Sequence, residues 1–178
     1  TELYIHYTAL PEGKTLEDVV EELNEVLDDG GQVCGGEEGR IDLDLEESLT
    51  DLGTDYIDLY QVHNPGQKDL DQVMAPGGAL EALLEAKAAG KIGHIGITLH
   101  SVDLFKQAVE LPWVETIMFP YNIVETQGEE LIAKCAEKNI GFICMKPLAG
   151  GAIEDATTAL RFVVSNSNVT VVIPGMAD

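Results

Sequence analysis

Basic residues are scarce in this sequence: 10 Lys and Arg stand against 32 Asp and Glu, for a formal net charge of −22. Binding a phosphate backbone needs a face of clustered Lys and Arg, so nucleic acid is not an expected partner. Anionic membrane surfaces are disfavoured by the same repulsion. Such an excess gives a soluble, self-repelling surface. Adaptation to high salt is the sharper reading of it, and the use of eight Lys against two Arg counts against that.

Long apolar runs are missing too. None approaches the roughly 20 residues that a bilayer span requires. The opening "TELYIHYTALPEGK" has neither a basic n-region nor an apolar h-region, so no signal peptide is expected there. Cysteines are few, odd in number and without metal-ligand spacing (Cys34, Cys135, Cys144), so no metal is expected. Cys135 falls in a helical pattern and Cys144 in an apolar strand pattern, where free core thiols are the plain reading. A reducing, cytoplasmic setting follows as an expectation.

What is present is a globular composition. The chain has 178 residues, enough for one domain with a substantial core. From residue 41 onward the pattern is regular. "IDLDLEESLTDLG" has Ile41, Leu45 and Leu49 at helical spacing, and Gly53 stops it. "DYIDLYQVH" reads as a buried strand, and "GALEALLEAKAAG" as a helix ended by Gly90. "KIGHIGITLH" is a strand, and Ser101 caps the helix "VDLFKQAVE". The series continues with strand "ETIMFPYNIV", helix "EELIAKCAEKN", strand "IGFICMKPL", helix "ATTALRFVVSN" and strand "VTVVIPG".

Strand and helix thus alternate about five times through short Gly-containing turns. Strands apolar on both faces belong to parallel sheets covered by helices. Two architectures fit: an open doubly wound sheet, or part of a closed eight-stranded barrel. No G-x-G-x-x-G follows the first strand, which removes the support for the dinucleotide-binding open sheet. The expected class is α/β, a (β/α)8 TIM-barrel type that is incomplete or shortened, with five to six recognisable βα units.

Residues 1–40 do not continue the pattern and are set apart from a barrel portion at 41–178. "ELYIHYT" reads as a strand, "TLEDVVEELNEVL" as a helix capped by Thr15, and "DDGGQVCGGEEG" as an acidic, Gly-rich loop. This opening is also similar to the strand–turn–helix start of ubiquitin-like sulfur carriers, although any edge strand, turn and capped helix looks alike.

Five collinear stretches carry a stronger likeness: "DLEESLTDLGTDYIDLYQVHNP", "EALLEAKAAGKIGHIGIT", "FPYNIVE", "GFICMKPLAGGAI" and "VVIPGM". Together they resemble the aldo-keto reductase superfamily, and its iron–sulfur-extended branch in particular. The resemblance implies a barrel that binds NADPH or NADH at the C-terminal strand ends and reduces a small aldehyde or ketone. In that family a Tyr protonates the carbonyl oxygen, a Lys–Asp pair activates the Tyr, and a His orients the carbonyl.

His63 matches the family's His in "QVHNP" and is the expected catalytic residue. By strand alternation Gln61 and His63 share a face with Ile57 and Leu59, the apolar pair filling the barrel and the polar pair reaching its mouth. Thr98 matches the hydroxyl residue that faces the nicotinamide carboxamide. Asn122 falls near the family's amide contact, with Met118 where many members have Gln. Lys146 ends the next strand beside Met145, which replaces a frequent stacking aromatic. Thr98, Asn122 and Lys146 are therefore the expected cofactor contacts. The remaining tetrad members should lie upstream of residue 41. There the chain offers His6 and Tyr7 in place of the Asp, no Tyr between Tyr7 and Tyr56, and Lys14 as the only Lys before Lys68.

Plainer readings stand beside these. A strand-end histidine such as His63 is more often satisfied structurally than catalytic, and a strand-end lysine such as Lys146 is more often simply solvated. Asp58, mid-strand on the helix-facing side, reads as structural. The alternative function is an inactive, shortened or engineered barrel portion serving as a binding or assembly component. Unpaired strand edges would then favour self-association.

Overall fold

A computed structural model describes residues 40–175, with side chains from residue 45 onward. The expected strand, Thr15-capped helix, acidic loop, Cys34, and the His6, Tyr7 and Lys14 positions all lie outside the described residues.

The chain enters as helix α1 (Arg40–Leu52), followed by strand β1 (Ile57–His63). Helices α2 (Gln67–Val73) and α3 (Ala79–Ala88) lead to β2 (Ile92–Thr98). Helix α4 (Val102–Ala108) leads to β3 (Thr116–Pro120), and α5 (Glu129–Glu137) to β4 (Gly141–Met145). A 3₁₀ turn (Ala149–Gly151) and α6 (Ala156–Ser165) precede β5 (Val171–Ile173).

All five strands are parallel, and their order in the sheet is the order in the chain. A doubly wound sheet reverses direction at a switch point, whereas a barrel wall does not. The described residues therefore form five consecutive strands of a β/α-barrel wall.

The local signals act as the sequence suggests. Gly53 and Gly90 sit at φ 62° and 76°, the left-handed conformation that ends a helix at little cost to glycine. Ser101 caps α4 by accepting from the Leu104 N–H at 3.4 Å. Two elements differ from the expectation. The segment 67–73 forms a helix that its mostly polar sequence does not announce, anchored only by buried Leu70 and Val73. Strand β3 ends at Pro120, and "YNIV" is a tight turn instead of a strand continuation.

The two faces of the sheet carry different cores. On the helix side Ile97, Ile117, Phe119, Phe142 and Cys144 pack beneath Phe105, Ile132 and Val163. The Phe105 ring lies 4.9 Å from Phe119 and 6.0 Å from Phe142, centroid to centroid. On the inner face Met118, Ile143 and Met145 pack with Leu59 and Ile173. Leu59 fills the interior as alternation requires. Ile57 instead packs with the helix-side group of Leu45, Leu83 and Ile95, because it lies at the strand's start, where α1 and α3 converge. Asp58 is exposed at the first of the sheet's edge strands among the described residues.

Candidate active site

The C-terminal ends of β1 to β4 gather the polar side chains singled out above. His63, the last residue of β1, is the register partner of Thr98, the last residue of β2, and Thr98 is the partner of Met118 on β3. These residues share the inner face with Leu59 and Met118, so His63 and Thr98 stand side by side at the rim of the wall.

The next residue fastens this pair. The Asn64 N–H donates to the Thr98 hydroxyl at 2.8 Å and to the Thr98 carbonyl at 3.0 Å. Asn64 has φ 39°, a left-handed conformation that Asn tolerates better than most residues. The turn it makes leads through buried Pro65 into α2. Thr98 is only 4% exposed, so its hydroxyl is held in a desolvated position. With an amide N–H occupying one lone pair, its own hydrogen is left to donate.

Asn122 behaves differently. It is fully buried, and every hydrogen-bonding position of its amide is filled. Nδ2 donates to Glu125 Oε2 at 2.6 Å and to the Lys146 carbonyl at 3.0 Å. Oδ1 accepts from the N–H groups of Val124 and Glu125, both at 3.0 Å. The amide closes the turn after β3 and ties it to the end of β4. Lys146 adopts φ 54°, and Asn122 holds the carbonyl of that left-handed residue in place. The Lys146 side chain is exposed and has no carboxylate partner among the described residues.

Among the described residues, no tyrosine side chain faces the rim. Tyr56 precedes β1 at the opposite end of the strands. Tyr60 packs with the helix-side group of Leu45, Leu83 and Ile95. Tyr121 is 1% exposed on the helix side, its ring 5.5 Å from Phe162. Its hydroxyl donates to Glu129 Oε1 at 3.2 Å and accepts from Asn166 Nδ2 at 3.3 Å. Burial, which outweighs the Asn166 hydrogen bond, pushes its pKa up.

At the opposite end of the sheet, Glu115 draws in Lys87 Nζ, His94 Nδ1 at 2.9 Å and the Ile95 N–H at 3.0 Å. Burial opposes ionisation there, but the hydrogen bonds from Lys87, His94 and Ile95 prevail and hold the carboxyl at about 2. His94 thus belongs to a structural ion-pair group away from the rim. Among the described residues no group of three or more His, Cys, Asp or Glu could hold a metal ion, and no helix is long and apolar enough to cross a membrane.

Sequential parallel strands in chain order define a β/α-barrel protein, and the polar row at their C-terminal ends is its candidate site. The Aldo/keto reductase family model matches residues 24–158, and the chain belongs to that family. Aldo-keto reductase YhdN of Bacillus subtilis (strain 168) is 35% identical over 124 residues, covering 66% of this chain and 36% of the relative. A Schizosaccharomyces pombe protein, aldo-keto reductase yakc, named with NADP(+), is 32% identical over 121 residues, 65% of this chain and 34% of its own. The chain thus spans roughly a third of the length of these curated relatives. The solved aldo-keto reductase AKR11C1 from Bacillus halodurans (holo form) superposes with a TM-score of 0.66 at 24% identity, over 78% of this chain and 57% of that one, a likeness of fold.

A nicotinamide carboxamide fits one of the expected contacts and not another. The desolvated Thr98 hydroxyl has a hydrogen to give to a carboxamide oxygen. The Asn122 amide has no position left, so a ligand could engage it only by displacing the turn it closes. The sequence alone gave no sign of this, because the Lys146 carbonyl is an acceptor 24 residues away.

Proposed function

We propose that this chain reduces an aldehyde or ketone with NAD(P)H, His63 orienting the substrate carbonyl and Thr98 holding the nicotinamide carboxamide. The observation that carries this reading is the register pairing of His63 with Thr98 at adjacent strand ends, fastened by the Asn64 N–H. Bound at that rim, the nicotinamide supplies the hydride. His63 offers a ring N–H to the carbonyl oxygen, where negative charge develops. Thr98 donates its hydroxyl hydrogen to the carboxamide and so fixes the ring's register. The exposed Lys146 ammonium supplies positive charge for the cofactor's phosphates. Asn122 acts indirectly, by shaping the turn beside Lys146. The proton for the carbonyl oxygen comes from a group other than Tyr56, Tyr60 and Tyr121, whose placements keep them from the rim.

That placement of the three described tyrosines is also what favours the second reading, a barrel portion that binds without turning over. One assay separates the two. NADPH consumption is followed with a panel of small aldehydes and ketones, for wild type and His63→Ala. Reduction by wild type, lowered about 10²-fold or more in kcat/KM by His63→Ala, is expected. A wild-type rate equal to that of buffer would sink the catalytic reading and leave the binding one.

A further inference from the structure

One layer below the rim, the inner face is polar where a barrel interior is ordinarily apolar. Gln61, Gly96 and Thr116 are register partners on β1, β2 and β3, each two residues before His63, Thr98 and Met118. Gly96 has no side chain, and its two neighbours lean into the space it leaves. A Cβ on Gly96 would lie 2.2 Å from Thr116 Oγ1, 3.0 Å from Gln61 Cγ and 3.2 Å from Gln61 Oε1. Both oxygens are buried, and neither has a hydrogen-bond partner among the described residues.

Buried amide and hydroxyl oxygens are rarely left unpaired, because each has given up its hydration without replacement. Where such a pocket is polar and roomy enough, proteins settle the account with an ordered water. Here two oxygens from different strands converge on one point over a glycine. Gln61 Oε1 only accepts, whereas the Thr116 hydroxyl can accept or donate, so a water between them can donate to the first and bond the second in either sense.

We propose that Gln61 and Thr116 form a binding site for one internal water, seated over Gly96 as the floor beneath His63 and Thr98. The site accounts for three residues that the apolar pattern of this wall otherwise leaves unexplained. A Gln stands mid-strand in β1, a Gly mid-strand in β2 and a Thr opens β3, all in one row. It is independent of the carbonyl-reductase reading and stands or falls apart from it.

The test is a crystal structure of the full chain, together with thermal unfolding of Thr116→Val and Thr116→Ser. An ordered water within hydrogen-bond distance of both Gln61 Oε1 and Thr116 Oγ1 is expected. Thr116→Val keeps the shape and removes the hydroxyl, and should lower the midpoint by about 2–4 °C. Thr116→Ser, which keeps the hydroxyl, should retain the water. An empty site, or a direct Gln61–Thr116 hydrogen bond, overturns the proposal. So does a midpoint that is unchanged or raised in Thr116→Val, the outcome expected when a dry, unpaired hydroxyl is removed.

Discussion

The backbone N–H of Asn64 is shared between the hydroxyl and the carbonyl of Thr98, at 2.8 and 3.0 Å, so the turn after β1 is pinned to the end of β2. His63 immediately precedes Asn64 and is the register partner of Thr98, so this contact fixes its position. Thr98→Val leaves the amide only the carbonyl and should cost about 1 kcal/mol. Hydrogen exchange of the Asn64 amide should quicken in Thr98→Val and stay protected in Thr98→Ser. Equal protection in both variants would show that the hydroxyl does not hold the turn.

Asn122 is the most heavily committed side chain among the described residues. Asn122→Ala takes the hydrogen-bond partner from the Val124 N–H and the Glu125 carboxylate. It removes one of two from the Lys146 carbonyl and the Glu125 N–H, which keep the Ala149 N–H and the Asn122 carbonyl. A loss of about 3 kcal/mol or more is expected in urea unfolding. Asn122→Asp keeps the two acceptor bonds but places a second carboxylate against Glu125. It should be destabilised at neutral pH and partly recover on acidification. A variant within about 0.5 kcal/mol of wild type would contradict the saturated geometry.

Much of the wall is legible in the sequence, because its signals are local. Apolar runs mark β1 to β4, Gly53 and Gly90 mark helix ends, and Ser101 marks a start. Their residue types act through backbone conformation within a few positions. The site is less legible, because it depends on register. That His63 meets Thr98, or that Gln61 and Thr116 converge over Gly96, follows from which residues pair across strands 20 to 35 positions apart. Helix α2 is not legible because "QKDLDQV" offers two buried positions and no sustained apolar face. Asn122 is identifiable as a turn residue only once β3 is seen to stop at Pro120.

Glu115 makes stability depend on pH at the end of the barrel away from the rim. Its folded carboxyl is depressed from 4.5 to about 2. A depressed carboxylate contributes stability that is present above the unfolded pKa and is lost as pH falls through the folded one. Wild type should therefore exceed Glu115→Gln in stability above about pH 5, with the margin shrinking from pH 4.5 toward 2. Unfolding curves over that range check it, and a constant margin would refute the assignment.

Cys135 and Cys144 are both buried, and burial pushes both thiols up to about 12. For Cys144 the hydrogen bond to the Tyr121 carbonyl, at 3.0 Å, adds a fixed orientation. Thiolates are the reactive form, so neither residue should be alkylated in the folded chain at pH 8, and both should be once it is unfolded. Peptide mapping after brief labelling distinguishes them from Cys34.

Whether the proposed His63–Thr98 rim holds a nicotinamide is tested most directly by titration with NADPH followed by nicotinamide fluorescence. Wild type and Thr98→Ser should saturate below millimolar cofactor. Thr98→Val should bind about five- to tenfold more weakly, the worth of one hydrogen bond. No saturation by wild type at millimolar NADPH, or equal affinity in Thr98→Val, would contradict it.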